Sequence, residues 1–233
     1  MRKLQSAVRR ALNDFNMIED GDVIAVGVSG GKDSLTLLRV LAAMRVYLPQ
    51  KFEIKALMLD LGFEGTDTSP FEQFCREINV ECIIKKTDIA EVVFDIRKES
   101  NPCSLCAKMR RGALNELAVE CGCNKVALGH HFDDCIETFY MSLIYEARLS
   151  TFDAKCYLDR VGITVIRPMI YIEEKDITAF ASKEKLPIIH NPCPADGFTK
   201  RQYVKDLLAN LEKENPDVRK RIFRAIREGL LLK

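Results

Sequence analysis

Three short segments of this chain gather residue types that can do chemistry. The first, Ser29-Gly30-Gly31-Lys32-Asp33-Ser34, follows an apolar run and precedes a helical pattern. Glycines there let backbone N–H groups close around a phosphate, and the N-terminus of the following helix favours its negative charge. Lys32 adds a point charge; Ser29 and Ser34 add hydroxyl donors. A Walker A loop would need Gly at 26 and Ser or Thr at 33, but the chain has Val26 and Asp33, so this is not the usual cradle for transferring a γ-phosphate. The second segment, Gly129-His130-His131-Phe132-Asp133-Asp134-Cys135-Ile136-Glu137-Thr138, again lies between an apolar run and a helical pattern and holds two of the three histidines. Its simplest reading is that one of the two aspartates caps the helix. Asp60 and Arg167 each end an apolar run; Asp60 is either a group presented to a ligand or a turn residue before Gly62, and Arg167 either faces phosphates or makes an ordinary ion pair.

The third segment is Cys103-Ser104-Leu105-Cys106, whose spacing lets two sulfurs reach one metal or each other. Asn101-Pro102-Cys103 is echoed by Asn191-Pro192-Cys193, which a fold could bring alongside. Three chemistries fit: a Cys₃His zinc site from Cys103, Cys106, Cys193 and His190, a redox dithiol of Cys103 and Cys106, or a [4Fe–4S] cluster on three cysteines with one iron open. Spacing alone does not separate zinc from iron. Cys75, Cys82, Cys121, Cys123, Cys135 and Cys156 fall mostly within helix or strand patterns and read as buried free thiols.

Alternating elements must position these groups. The apolar runs Val23–Val28, Ile54–Leu59, Val80–Ile84, Val126–Leu128 and Ile163–Ile166 read as strands covered on both faces. Helical patterns at Leu35–Leu48, Phe71–Ile78, Leu105–Val119 and Asp134–Ile144 separate most of them, which predicts an α/β fold with a doubly wound, mostly parallel five-stranded sheet. A basic helix over 1–20 precedes the sheet domain of 21–170, which carries the cysteine segment 99–107. A helical region, 171–233, follows with Cys193, and Asn215 and Pro216 read as an N-cap and first helical residue of its last helix. The 233 residues are 47% hydrophobic and 30% charged, with a net charge of +1, no apolar run near a membrane span and basic residues where a secretory leader would be apolar. A membrane protein, a secreted disulfide scaffold and a disordered chain are excluded; nine cysteines, an odd number, point to a reducing, cytoplasmic setting.

The glycine loop resembles the S-G-G-x-D-S signature of the PP-loop ATP pyrophosphatases, which hold the β,γ-pyrophosphate and cleave ATP between the α and β phosphates. The resemblance implies ATP contacts from Ser29, Gly30, Gly31, Lys32, Asp33, Ser34, Asp60, Gly129 and His130. It casts Asp33 as a partner of Mg²⁺ on the pyrophosphate, Asp133 as positioning Mg²⁺ or substrate, and a neutral imidazole at phosphate or ribose. G-H-H-x-D-D-x-x-E-T resembles a second signature shared by PP-loop enzymes acting on tRNA. Cys103 to Leu114, C-S-L-C-A-K-M-R-R-G-A-L, is similar to the tRNA 2-thiocytidine synthetases, as are Arg167-Pro168, R-x-x-V-K-D-L-L and the E-x-x-x-P tail, so the likeness spans most of residues 1 to 230. In that family three cysteines hold a [4Fe–4S] cluster whose free iron carries the sulfur delivered to tRNA; by position these are Cys103, Cys106 and Cys193, with Arg110 the basic catalytic position beside cluster and substrate. Where the family commonly reads C-x-x-C-G, this chain has Cys193-Pro-Ala-Asp-Gly197, and it is shorter than typical members. The lysidine synthetases adenylate the same carbonyl but lack the C-x-x-C. The 2-thiouridine enzymes carry terminal zinc-finger cysteines absent here, and a zinc-stabilised module without chemistry is the rival of another class.

Residues 200–233 hold ten Lys or Arg against five Asp or Glu, and the first ten residues add four basic side chains and no acid. Arg219, Lys220, Arg221, Arg224 and Arg227 lie off the apolar stripe of the last helix and suit a phosphate backbone. The implied partners are tRNA and a sulfur donor, either sulfide or a cysteine-desulfurase persulfide, with no membrane; a homodimer is compatible with the reading.

Overall fold

Val23–Val28 (β1) is apolar along its length and sits at the middle of the sheet, where both faces are covered. In the computed structural model, which describes residues 1–63, 65–97, 102–189, 193, 200–229 and 232, β1 pairs in parallel with Glu53–Asp60 (β2) on one side and Lys125–Ala127 (β4) on the other. Glu81–Lys86 (β3) extends the β2 side and Ile163–Ile166 (β6) the β4 side, all parallel. Lys155–Leu158 (β5) closes the far edge antiparallel to β6, so the sheet has six strands in the order β3-β2-β1-β4-β6-β5. The sequence pattern missed β5: its four residues are half-buried or exposed, as suits a short edge strand.

The sheet reverses its winding between β1 and β4. In open α/β sheets a ligand binds in the crevice outside the carboxyl ends of two such strands. Lys32–Met44 (α2) leaves the end of β1, and Phe132–Glu146 (α5) leaves the end of β4. Both pack on one face with Arg2–Asp14 (α1) and Ser69–Glu77 (α3), around Leu35, Leu38, Ile136 and Met169. Pro102–Glu120 (α4) covers the other face, setting Leu117 and Ala118 against Ala25, Leu57 and Val126. A π-helical turn, Glu91–Arg97, precedes it.

Glu174–Glu184 (α6), Lys200–Glu214 (α7) and Val218–Glu228 (α8) complete the α2–α5 face, contributing Ile177, Val204, Leu208, Phe223 and Ile226 to its core. Asp217, with φ +67°, is the N-cap of α8. Asn215 and Pro216 therefore stand two positions outside the places expected of them, because the chain makes a left-handed turn at Asp217 before the helix begins at Val218. Among the described residues, no helix is long and apolar enough to cross a membrane.

Candidate active site at the carboxyl ends of β1 and β4

The glycine loop is tied to itself through Ser34. Its buried hydroxyl accepts the Ser29 N–H at 3.1 Å, donates to the Gly31 carbonyl at 3.1 Å and lies 3.3 Å from the Ser29 hydroxyl. Gly30 takes φ +83°, a conformation costly for any other residue. The Gly30 carbonyl accepts the Ile189 N–H at 3.0 Å, and this clamps the loop to a segment only four residues ahead of Cys193.

Lys32 projects from the first turn of α2. Its ammonium lies 2.9 Å from Asp33 Oδ1 and 2.9 Å from Glu174 Oε1. Burial opposes the charge, but hydrogen bonds to Glu174 and Asp33 outweigh it and hold the ammonium above the usual lysine range. Glu174 opens α6 and also receives Lys205 Nζ from α7 at 3.2 Å on Oε2. Burial pushes its carboxyl up, yet the hydrogen bonds from Lys32 and Lys205 win and bring it down to about 2. Glu174 escaped the sequence reading because it belongs to no glycine-rich or histidine-bearing segment; only the fold brings it to Lys32.

The β4–α5 loop lies directly against this one. A Cβ built on Gly129 would stand 3.0 Å from Ser34 N and 3.1 Å from Asp33 C, so glycine is what lets the two loops touch. His131, rather than His130, bridges them: its buried ring has Nε2 3.8 Å from Asp33 Oδ1 and 3.4 Å from Asp134 Oδ2, with Nδ1 3.9 Å from Asp133 Oδ2. Asp134 accepts the His131 N–H at 3.1 Å, which makes it the helix-capping aspartate. Asp133 has other partners: Oδ2 accepts the Glu174 N–H at 2.7 Å and Oδ1 accepts Arg219 Nη1 of α8 at 3.1 Å.

His130 stacks on Phe152 at 5.0 Å between ring centroids, and its Nδ1 accepts Arg167 Nε at 3.1 Å. Burial, followed by the Arg167 charge, lowers its pKa to about 4, so the imidazole is neutral and its Nε2–H is the remaining donor. Arg167 also donates to the Asp153 carbonyl and lies 4.8 Å over Phe152; it meets a histidine and a ring rather than a carboxylate. Asp60 closes its own turn, with Oδ1 accepting the Gly62 N–H at 3.0 Å and its carbonyl accepting the Thr87 N–H at 2.8 Å.

Cys103 and Cys106 occupy the first turns of α4, three residues apart and hence on one side of the helix. Cys103 is exposed and Cys106 half-buried against the Leu61, Ile89 and Val93 cluster. Burial pushes the Cys106 thiol up; Arg110, one turn along and hydrogen-bonded to it, opposes that, while Cys193 and Cys103 both act on it from nearby. All nine cysteines are free. Cys103, Cys193 and Arg110 thus all lie near Cys106, though among the described residues no three potential ligands close to metal-binding distances. His190 and residues 194–197 lie outside the described residues. Of the other cysteines, burial raises Cys123 and Cys135 to about 11, as inert core thiols.

The basic tail divides in two. Arg201 donates to Asp134 at 2.9 Å and Glu137 at 3.1 Å, and with Lys205 and Arg219 it faces the carboxylates of the second motif. Lys220, Arg221, Arg224 and Arg227 stay exposed on α8, while Arg111 is exposed on α4 beside the cysteines.

A family model described as a PP-loop domain matches residues 2–212. The chain belongs to the PP-loop family. It is 40% identical over 228 residues to the tRNA-cytidine(32) 2-sulfurtransferase of Geobacter sulfurreducens, spanning 97% of this chain and 89% of that protein. The enzyme of the same name from Syntrophotalea carbinolica is 41% identical over 97% and 88%. The U34-tRNA thiolase NcsA from Methanococcus maripaludis, solved with its [4Fe-4S] cluster, superimposes with a TM-score of 0.80 and 28% identity, covering 99% of this chain and 78% of that one. The expected PP-loop α/β architecture is thereby borne out, with one edge strand more than expected.

Proposed function

We propose that this PP-loop protein is an ATP-dependent tRNA sulfurtransferase that converts cytidine, at position 32, to 2-thiocytidine. The observation that carries the reading is that a chain 40% identical to enzymes named for that reaction holds an S-G-G-K-D-S loop clamped at Gly30 to the segment leading to Cys193, with Cys193 and Cys103 both near Cys106.

The C2 oxygen of cytidine is a poor leaving group until it is esterified to phosphate. In the first step this oxygen attacks the α-phosphorus of ATP, and the bond to the β-phosphate oxygen breaks, releasing pyrophosphate. The loop N–H groups, the α2 N-terminus and Lys32 stabilise charge developing on the leaving pyrophosphate. Asp33, on the same turn, is suited to Mg²⁺ bound to the phosphates. The Nε2–H of neutral His130 is a donor for nucleotide oxygen, and Asp133 acts by fixing the backbone of Glu174. A sulfur nucleophile then adds at C2 and AMP departs with the former carbonyl oxygen, assisted by Arg110.

Three thiols, none in a disulfide, and a guanidinium within hydrogen-bonding reach form a soft, thiolate-stabilising donor set that fits an iron–sulfur cluster. A [4Fe–4S] cluster on Cys103, Cys106 and Cys193 would present the sulfur to the activated base. The exposed basic residues of α8 and Arg111 serve the tRNA backbone; the donor is sulfide, or a persulfide together with a thiol reductant that supplies the two electrons needed to cleave its S–S bond. The setting is cytoplasmic.

The test is anaerobic reconstitution of the wild-type protein and its C103S, C106S and C193S variants, with iron analysis and assay of tRNA thiolation. About four irons per chain and thiolation in the wild type, lost in each variant, are expected. A colourless zinc protein, or full activity in any variant, contradicts the reading.

A further inference from the structure

Lys32 is held by residues the glycine loop does not contain. An ammonium has three N–H donors and no acceptor. Two of the three are taken, one by Asp33 Oδ1 and one by Glu174 Oε1, each at 2.9 Å. One remains, and the tetrahedral geometry of the nitrogen fixes its direction once the other two are bound. A lysine on a flexible four-carbon stem would otherwise lose its rotamer freedom at the moment a phosphate arrives.

Glu174 is itself held from three sides. Lys205 Nζ of α7 lies 3.2 Å from its Oε2. Its backbone N–H is fixed by Asp133, whose second oxygen is fixed by Arg219 of α8. Its carbonyl accepts the Thr178 hydroxyl at 3.0 Å. A continuous series of hydrogen bonds therefore runs from the two last helices through Asp133 and Glu174 to the phosphate-binding lysine.

We propose that Glu174 is a positioning residue for Lys32, through which helices α7 and α8 set the geometry of the phosphate site. The inference rests on the ATP-binding reading of the glycine loop. Because Glu174 bears a negative charge, its contribution lies in direction rather than attraction. Its loss removes a like charge from the phosphates while freeing the ammonium to wander. Transition-state stabilisation depends on donors already in place, whereas ground-state affinity tolerates an ammonium that adjusts.

The experiment compares wild type with E174Q and K205M, each loaded with its cofactor. Pyrophosphate release is measured with substrate tRNA, and the ATP dissociation constant separately. In parallel, the ζ-¹⁵N ammonium signal of Lys32, assigned by its disappearance in K32M, is recorded on lysine-labelled protein. E174Q is expected to lower turnover about tenfold or more with ATP affinity changed less than about threefold, and to abolish the protected Lys32 signal by letting the ammonium exchange with water. K205M, which leaves the Lys32–Glu174 contact in place, is expected to keep the signal and lose only about threefold in turnover. Turnover in E174Q within about twofold of wild type, a surviving Lys32 signal, or a gain in ATP affinity with undiminished turnover would each overturn the proposal. The ammonium signal and ATP binding are read without tRNA chemistry, so wild-type protein that binds ATP but thiolates no tRNA refutes the sulfurtransferase reading and leaves this one standing.

Discussion

Arg219, on the last helix, donates from Nη1 to Oδ1 of Asp133 at 3.1 Å, across 86 positions of sequence. Asp133 is buried, and its other oxygen holds the N–H of Glu174. A residue whose motif suggests direct chemistry is thus also the joint between the second motif, α6 and α8. Removing the guanidinium in R219M leaves a buried carboxylate with one of its two partners. The expected cost is about 1–3 kcal/mol of stability. Urea denaturation checks it, and a midpoint indistinguishable from wild type would show that the contact is not made in solution.

His130 gives a pH dependence of known sign. Its native pKa is lowered to about 4 from an ordinary 6.5 by burial and by Arg167. Between those values the unfolded chain binds a proton that the native protein does not. Stability contributed by the neutral imidazole is therefore complete above about pH 6.5 and is lost as the pH falls toward 4. The loss amounts to on the order of 3 kcal/mol. Thermal unfolding of wild type and H130Q from pH 7.5 to 4 should show a steeper acid decline in wild type; parallel curves would mean that His130 takes up its proton in the folded state.

At Gly129 the prediction concerns the ligand. A methyl group there meets the backbone of Asp33 and Ser34 at 3.0–3.2 Å, with no flexible side chain to give way. G129A should push the β4–α5 loop off the start of α2 at a cost of about 1–3 kcal/mol, and so weaken ATP binding about tenfold. Calorimetric titration with ATP measures this directly; unchanged affinity would separate the second motif from the nucleotide.

The parts legible in the sequence were those written locally. An apolar strand, a glycine loop and a helix start follow one another within a dozen residues around Ser29–Ser34, so the strand–loop–helix reading needs no tertiary information. The second motif could be placed at the end of β4 for the same reason. Glu174, Arg201, Lys205 and Arg219 were not legible as site residues, because each is an ordinary charged helix residue until α6, α7 and α8 fold over α2 and α5. The tail's basic excess shows the same limit: composition counts Arg219 with Arg227, while the fold turns one inward to Asp133 and leaves the other exposed. Arg167 read as an ion-pairing or phosphate residue, since nothing near it in sequence announces His130 and Phe152 as its neighbours. β5 was invisible for lack of a buried face.

The central claim is that this chain installs sulfur at C2 of a tRNA cytidine. Mass spectrometry of nucleosides from total tRNA of a strain lacking the gene tests it most directly. The account predicts that 2-thiocytidine disappears and returns with the wild-type gene but not with the C103S variant, while 2-thiouridine is unchanged. Retention of 2-thiocytidine in the deletion strain, or loss of 2-thiouridine in its place, would contradict it.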